Sequence, residues 1–132
     1  MSYLVDTDIA SAYLKNDRAV VGRVMLHFGA LYISAITLGE LLTWALRANA
    51  PPSRLQGVQD LLRGVTVLEV TRSAAEKFGE IRAALLDQGL SVGEMDLLNG
   101  SIALIHNLTV AMHNLQDYSN IPGVVVDDWL VP

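Results

Sequence analysis

The sequence predicts an α/β protein built on a mainly parallel sheet. Short apolar runs of strand character alternate along the chain with longer stretches of helical periodicity. Gly, Pro and capping residues mark most of the boundaries between them. Such alternation places helices against a sheet and makes the strand connections cross over, so neighbouring strands run parallel. Hydrophobic residues make up 52% of the chain and charged residues 17%, which supplies a core and argues against disorder. Aromatics are only 6%, so that core is expected to be Leu, Val, Ile and Ala.

Residues 3–6 read as a short buried strand. Asp8 is the expected cap of a short helix, Ile9–Leu14, because an Asp side chain accepts from the free N–H groups of a first turn. Ala19–Phe28 is apolar at helical spacing and stops at Gly29. Leu31–Ser34 is a second strand, and Thr37–Ala48 a helix with Leu38, Leu41, Leu42 and Ala45 on one face. Pro51-Pro52 end that segment, with Ser53 as cap for Arg54–Arg63. Val65–Val70 alternates as a strand does. Ser73 with Glu76 forms a capping-box pattern opening a long helix to Gln88, closed by Gly89. Ser91 with Glu94 repeats the pattern before a helix to about Asn107. Thr109–Met112 and Val124–Val126 are the last strands.

A chain of 132 residues without internal repeat or linker fits one domain. With no cysteine, disulfides and thiolate metal sites are excluded, and a reducing, cytoplasmic setting fits. The N-terminus carries Asp6 and Asp8 and lacks the basic start of a secretory leader. No apolar run approaches the ~18 residues of a membrane span. The formal net charge of −5 disfavours a general nucleic-acid binder. Local basic strips remain open at Lys15, Arg18 and Arg23, at Arg47, Arg54 and Arg63, and at Arg72, Lys77 and Arg82. The simpler reading of each is a solvated helix face.

The acids are harder to explain as surface. Asp6 and Asp8 flank the point where a buried strand ends and a helix begins. Two charges about 4 Å apart repel by roughly 4 kcal/mol at an effective dielectric near 20. Ligands of α/β sheets collect at the C-terminal ends of the strands. Asp6 lies at one such end and the Asn114–Asp117 segment at another. Glu40 and Asp96 sit inside apolar helical stretches. Singly, each acid has a structural reading: Asp6 and Asp117 as turn residues, Asp8 as a cap, Glu40 on an exposed helix face, Asp96 in a second turn near a positive helix end. As a set, three or four carboxylates from separate elements are what a hard cation such as Mg²⁺ or Mn²⁺ needs. Such a cation offsets the repulsion, lowers the pKa of bound water, and stabilises charge on a phosphate; a second one can stabilise a leaving oxygen.

Four stretches, in this order, resemble the PIN-domain ribonucleases, and specifically VapC-like toxins of toxin–antitoxin pairs. They are LVDTDI at 4–9, ISAITLGELL at 33–42, GEMDLLNGSIAL at 93–104 and HNLQDYSNIPGVVVDDW at 113–129. The resemblance covers essentially the whole chain, so residues 1–132 read as a single PIN-like domain. It implies a three-layer α/β/α sandwich with a mainly parallel sheet and a Mg²⁺- or Mn²⁺-dependent endoribonuclease site. Asp6, Glu40 and Asp96 match the first three acids of the family, and Asp117 the Asp of its N-x-x-D-F pattern, which Asn114 opens. On that resemblance Asp6 and Asp96 hold the metal directly. Glu40 binds it or orients its water, and Asp117 acts through a water or positions a second ion. Thr7 donates a hydroxyl hydrogen bond within the site. The implied partners are an RNA substrate, a cognate antitoxin and a second copy of the chain. Ala19–Phe28 and Thr37–Ala48 are the candidate interface helices.

Three positions depart from the pattern. Met112 stands where Thr or Ser is usual, so one hydroxyl contact is missing. Asn99, three residues after Asp96, replaces an apolar residue and either adds an amide oxygen to the site or bonds a neighbouring helix. Glu94 stands where Pro is frequent. His27, His106 and His113 share no metal-binding spacing and read as structural, as do Trp44 and Trp129. Two other functional readings stay open. DTDIA at 6–10 nearly fits the opening of haloacid-dehalogenase-type phosphatases, with Ala10 where Thr or Val is expected. A catalytically inactive PIN-like module that binds a protein partner suits the acidic, oily composition, although clustered carboxylates have no use there.

Overall fold

The computed structural model describes residues 1–130. Five strands alternate with helices: β1 (Tyr3–Val5), α1 (Thr7–Leu14), α2 (Arg18–Leu26), β2 (Leu31–Ser34), α3 (Ala35–Ala45), α4 (Pro52–Leu62), β3 (Thr66–Leu68), α5 (Arg72–Asp87), α6 (Glu94–His106), β4 (Thr109–Met112) and β5 (Val126–Asp128). They form one sheet in the order β3-β2-β1-β4-β5, and every pairing is parallel. The expected α/β/α sandwich is present.

The layers follow from the two-residue period of the strands. In β1, Tyr3 and Val5 point to one face and Leu4 to the other. Tyr3 and Val5 join Ile9, Val20, Leu41 and Val58 from α1 to α4. Leu4, with Val110 and Met112 of β4, packs on Ile81 and Leu85 of α5 and Leu97 and Ile102 of α6. Four helices therefore cover one face and two the other. No helix among the described residues is long and apolar enough to cross a membrane.

Several boundaries differ from the sequence reading, and capping explains most of them. α1 starts at Thr7, capped by Asp6, whose side chain accepts from the Thr7 N–H. Asp8 is therefore inside the helix and does not cap it. α5 starts at Arg72 under Thr71, which accepts from the Ala74 N–H, so the Ser73–Glu76 box is not formed. Gly93 occupies the cap of α6 without a side-chain bond, and Glu94 instead pairs with Arg82 at 3.1 Å. Pro51 and Pro52 begin α4 through the backbone, leaving Ser53 inside it. Asp96 falls in the first turn of α6 rather than the second. β5 lies two residues later than expected, and β3 is shorter. The expected stop holds at Gly89 (φ +73°), just past α5, in a left-handed conformation that a side chain disfavours, whereas α2 ends at Leu26, before Gly29 (φ +92°).

Trp129 follows β5 and joins the first core. It is fully buried, its ring lies 4.9 Å from that of Tyr3 and stacks on His27 at 5.5 Å, and its Nε1 donates to Asp127 at 3.1 Å. Replacing a buried Trp by Ala typically costs about 3–5 kcal/mol. Trp129→Ala is expected to lose that much in urea unfolding, and Trp129→Phe distinctly less. A loss below about 1 kcal/mol for Trp129→Ala would contradict this packing role.

Candidate active site

The strand order reverses between β1 and β4: the chain moves outward from β1 through β2 to β3, then returns to β4 beside β1. In parallel sheets this reversal opens a crevice at the C-terminal strand ends. The Asp6 N–H donates to Ala111 O at 2.9 Å, which holds the end of β1 against β4. Asp6 forms one lip of the crevice, and the short 3₁₀ turn Leu115–Asp117 after β4 forms the other. Glu40 arrives from α3 and Asp96 from the first turn of α6. Asp6, Thr7, Asp8, Glu40, Asp96, Asn114 and Asp117, with Met95, line one cleft of about 360 Å³.

Asp6 is 8% exposed. Continuing the β1 alternation one residue past Val5 turns Asp6 toward the α6 face, where its partners lie. Its Oδ1 accepts from the Thr7 N–H at 2.7 Å and from Asn99 Nδ2 at 3.2 Å. Its Oδ2 accepts from the Tyr118 hydroxyl at 2.8 Å. An ionised carboxylate only accepts, so the Asn99 amide must turn its nitrogen to Asp6, which leaves Asn99 Oδ1 for the Ser34 hydroxyl. Ser34 Oγ in turn accepts from the Thr37 N–H at 3.1 Å. Above this chain the Thr7 hydroxyl donates to Glu40 Oε1 at 2.7 Å and shares a hydrogen bond with the Thr37 hydroxyl at 3.1 Å. Among the described residues no buried side-chain nitrogen or oxygen lacks a partner.

The electrostatics are one-sided. Burial pushes the Asp6 carboxyl up to about 6, against its bond from Tyr118. Asp96 is also raised to about 6, first by burial and then by the charges of Asp6, Asp117 and Glu40. Burial, followed by the charge on Asp6, raises Tyr118 and keeps its hydroxyl a donor. Among the described residues no Lys, Arg or His pairs with Asp6, Glu40, Asp96 or Asp117. No three acidic or His side chains close into a formed ligand shell among those residues. Among the described residues the lining carries no Lys or Arg, so none of the basic strips left open by the sequence enters the cleft itself.

All four acids singled out in the sequence reach this cleft, as do Thr7 and Asn114. Asn99 lies behind it, buried and bonded to Asp6; it contributes its amide N–H, not its oxygen. Asp8 holds a second, unexpected role: its Oδ1 accepts from the Ile9 N–H at 2.8 Å and its Oδ2 from the His113 N–H at 3.1 Å, tying α1 to the end of β4. Sequence reasoning missed Tyr118, Ser34 and Thr37. Tyr118 had a signal, since it places a hydroxyl where the N-x-x-D-F pattern ends in Phe. Ser34 and Thr37 carry a local signal as a helix-cap pair three residues apart, but their bonds to Asn99 and Thr7 span distant sequence and left none.

A family model described as the PIN domain matches residues 3–123. The chain is 32% identical over 130 residues to a protein of Salmonella typhimurium named tRNA(fMet)-specific endonuclease VapC, covering 98% of each. It is 30% identical, with the same coverage, to the Shigella flexneri protein of that name. It superposes with a TM-score of 0.90, at 32% identity and 98% coverage of both chains, on the crystal structure of DNA-bound VapBC from Salmonella typhimurium. A crevice of converging acids on this parallel sheet and full-length matches of this kind agree: the chain belongs to the PIN domain family, and within it to the VapC proteins.

Proposed function

We propose that the protein is a divalent-metal-dependent endoribonuclease, the toxin of a toxin–antitoxin pair, that cuts a structured RNA. The observation that carries this reading is the convergence of Asp6, Glu40, Asp96 and Asp117, from four separate elements, on one cleft at the sheet's reversal point. Family membership supports the activity class and removes the phosphatase reading. It supports one PIN-like domain spanning the chain.

The donor set fits a hard cation. Its oxygens are anionic, no protein cation among the described residues offsets them, and burial has already stripped water from Asp6. Asp6 and Asp96 would hold Mg²⁺ or Mn²⁺; Glu40 would bind it or orient water; Asp117 would act through a water or a second ion. When bound, the cation supplies a lowered pKa for water and stabilises charge on the scissile phosphate. Thr7 holds one oxygen of Glu40, which restricts that carboxylate's rotation. Asn114 stands at the mouth of the cleft, within reach of an entering strand. The lining is acidic, so RNA approach relies on bound cations and on Arg or Lys outside the lining. Recognition by shape, with unpaired bases at the cut, fits a small structured target.

The solved VapBC complex supports a cognate antitoxin as the partner. Met25 (57%), Leu26 (77%) and Phe28 (46%), at the end of α2, expose apolar surface of the kind a partner or second copy would cover. Leu46, just past α3, is 64% exposed and belongs to the other candidate helix.

The direct test is cleavage of total cellular RNA by antitoxin-free protein with Mg²⁺, Mn²⁺ or EDTA. Discrete fragments that need metal are expected, falling at least about a hundredfold in Asp6→Asn and Asp96→Asn, since a lost metal contact is worth several kcal/mol. A folded wild type that cuts no RNA under any metal would favour the inactive binding module.

Stability should carry the same signature. Both Asp6 and Asp96 have folded-state values raised to about 6 from 3.8, so folding takes up protons between those values. Their contribution therefore declines as pH rises through about 4 to 6 and stays low above it, by on the order of 3 kcal/mol for Asp6 alone. The metal-free protein is expected to melt lower at pH 7.5 than at pH 5, less so in Asp6→Asn, and to regain stability with Mg²⁺ at pH 7.5. Identical pH dependence in wild type and Asp6→Asn would contradict the burial of this charge.

A further inference from the structure

We propose that Asn99 and Tyr118 are positioning residues that leave Asp6 a single free lone pair, on Oδ2, and so make it a one-oxygen ligand for a divalent cation. The inference rests on the metal reading above and goes beyond it, because it fixes how one ligand binds.

Each carboxylate oxygen offers two lone pairs. Oδ1 of Asp6 takes two donors, the Thr7 N–H at 2.7 Å and Asn99 Nδ2 at 3.2 Å, and is filled. Oδ2 takes one, the Tyr118 hydroxyl at 2.8 Å. One direction remains, on a residue that lines the cleft. The donors hold different oxygens, Asn99 of α6 on Oδ1 and Tyr118 from the turn after β4 on Oδ2, so rotation about χ2 breaks at least one bond. The donors are themselves held. Asn99 is 2% exposed and anchored by the Ser34 hydroxyl; Tyr118 is 2% exposed within the second core. All three donors are neutral, so they orient the oxygens without replacing the charge that a cation would meet. Partners of this kind, one bond removed from a metal, commonly change affinity 10–100-fold when lost.

Tyr118→Phe removes only the hydroxyl and frees a second lone pair on Oδ2. Asn99→Leu keeps volume and removes the amide. Two readouts separate positioning from a merely structural role, both on the full chain with Mn²⁺ alone and no RNA. The first is Mn²⁺ affinity by calorimetry, expected to weaken about tenfold or more in each variant whose metal-free melting stays cooperative. The second is the Mn²⁺-induced infrared difference spectrum, with the Asp6 band identified by its absence in Asp6→Asn. A wide splitting of the carboxylate stretches, as for one-oxygen ligation, is expected in wild type, persisting in Tyr118→Phe, where Oδ1 stays filled, and narrowing in Asn99→Leu, which frees a lone pair on Oδ1. Affinity unchanged or tighter in folded Tyr118→Phe, or a narrow splitting in wild type, overturns the proposal while leaving the metal site standing. Wild type that binds no Mn²⁺ overturns the metal reading and the proposal with it. Tyr118→Phe keeps the test decisive if Asn99→Leu fails to fold.

Discussion

A carboxylate cannot be taken out of water without donors, and Asp6 is the point at which this fold meets that constraint. Its nearly complete burial would be costly if it were unbonded. The structure answers with a helix start, an amide from α6 and a phenol from the turn after β4. Two of those donors lie 93 and 112 residues from Asp6 in sequence and reach it where β1 pairs with β4. The seam and the charge therefore depend on each other. The parallel register sets Asp6 beside the end of β4, and the bonds to Asp6 hold α6 and the Tyr118 turn against that end.

The same arrangement leaves the other acids unneutralised. Asp96 feels Asp6, Asp117 and Glu40 as like charges, and no protein cation among the described residues stands between them. The fold tolerates this because the repulsion is spread over four elements anchored by apolar contacts away from the cleft. Leu97, beside Asp96, is buried in the second core, and Leu41, beside Glu40, in the first. Each acid is thus held at the cleft by a neighbour that cannot leave the interior. Thr37 links the two halves: its N–H bonds Ser34 on the route to Asp6, and its hydroxyl meets Thr7 on the route to Glu40. A polar network satisfied throughout in this way acts as one rigid unit.

Much of this was legible in the sequence. The strands at Leu31–Ser34 and Thr109–Met112 are apolar runs too short for helices, and the structure keeps their bounds. The acids were legible because a charge among Leu and Ile residues is conspicuous, and the resemblance then ordered them. Helix starts were not. Asp6 and Asp8, or Thr71 and Ser73, are chemically equivalent caps, and local sequence does not say which one the backbone leaves outside the helix. Tertiary contacts choose: Asp8 is needed by the His113 N–H, so Asp6 takes the cap. The Ser91–Glu94 pattern failed for a similar reason, since α6 starts at Glu94 under Gly93, which takes Glu94 out of the third helical position and leaves it to pair with Arg82 on α5. Side chains that act through distant residues, such as Ser34 on Asn99, leave no local pattern to read.

The departures from the family pattern make sense together when placed in the fold. Met112 sits where a hydroxyl is usual, and its side chain is buried in the second core, so that strand end lends the site no side-chain polarity. Its carbonyl still serves the sheet by accepting from the Trp129 N–H at 3.1 Å. The polarity lost at position 112 reappears at two other positions. Tyr118 carries a hydroxyl in place of a Phe edge, and Asn99 carries an amide in place of an apolar side chain. Both donate to Asp6, one to each oxygen. Together with Ser34 they form a closed set in which each donor has an acceptor. An apolar residue at 99 would leave the Ser34 hydroxyl only the longer bond to the Thr37 hydroxyl at 3.4 Å, and a Phe at 118 would leave Asp6 Oδ2 without its donor. The substitutions are therefore coupled through a single carboxylate, and the chain reaches its arrangement of Asp6 by a different set of side chains than the pattern supplies.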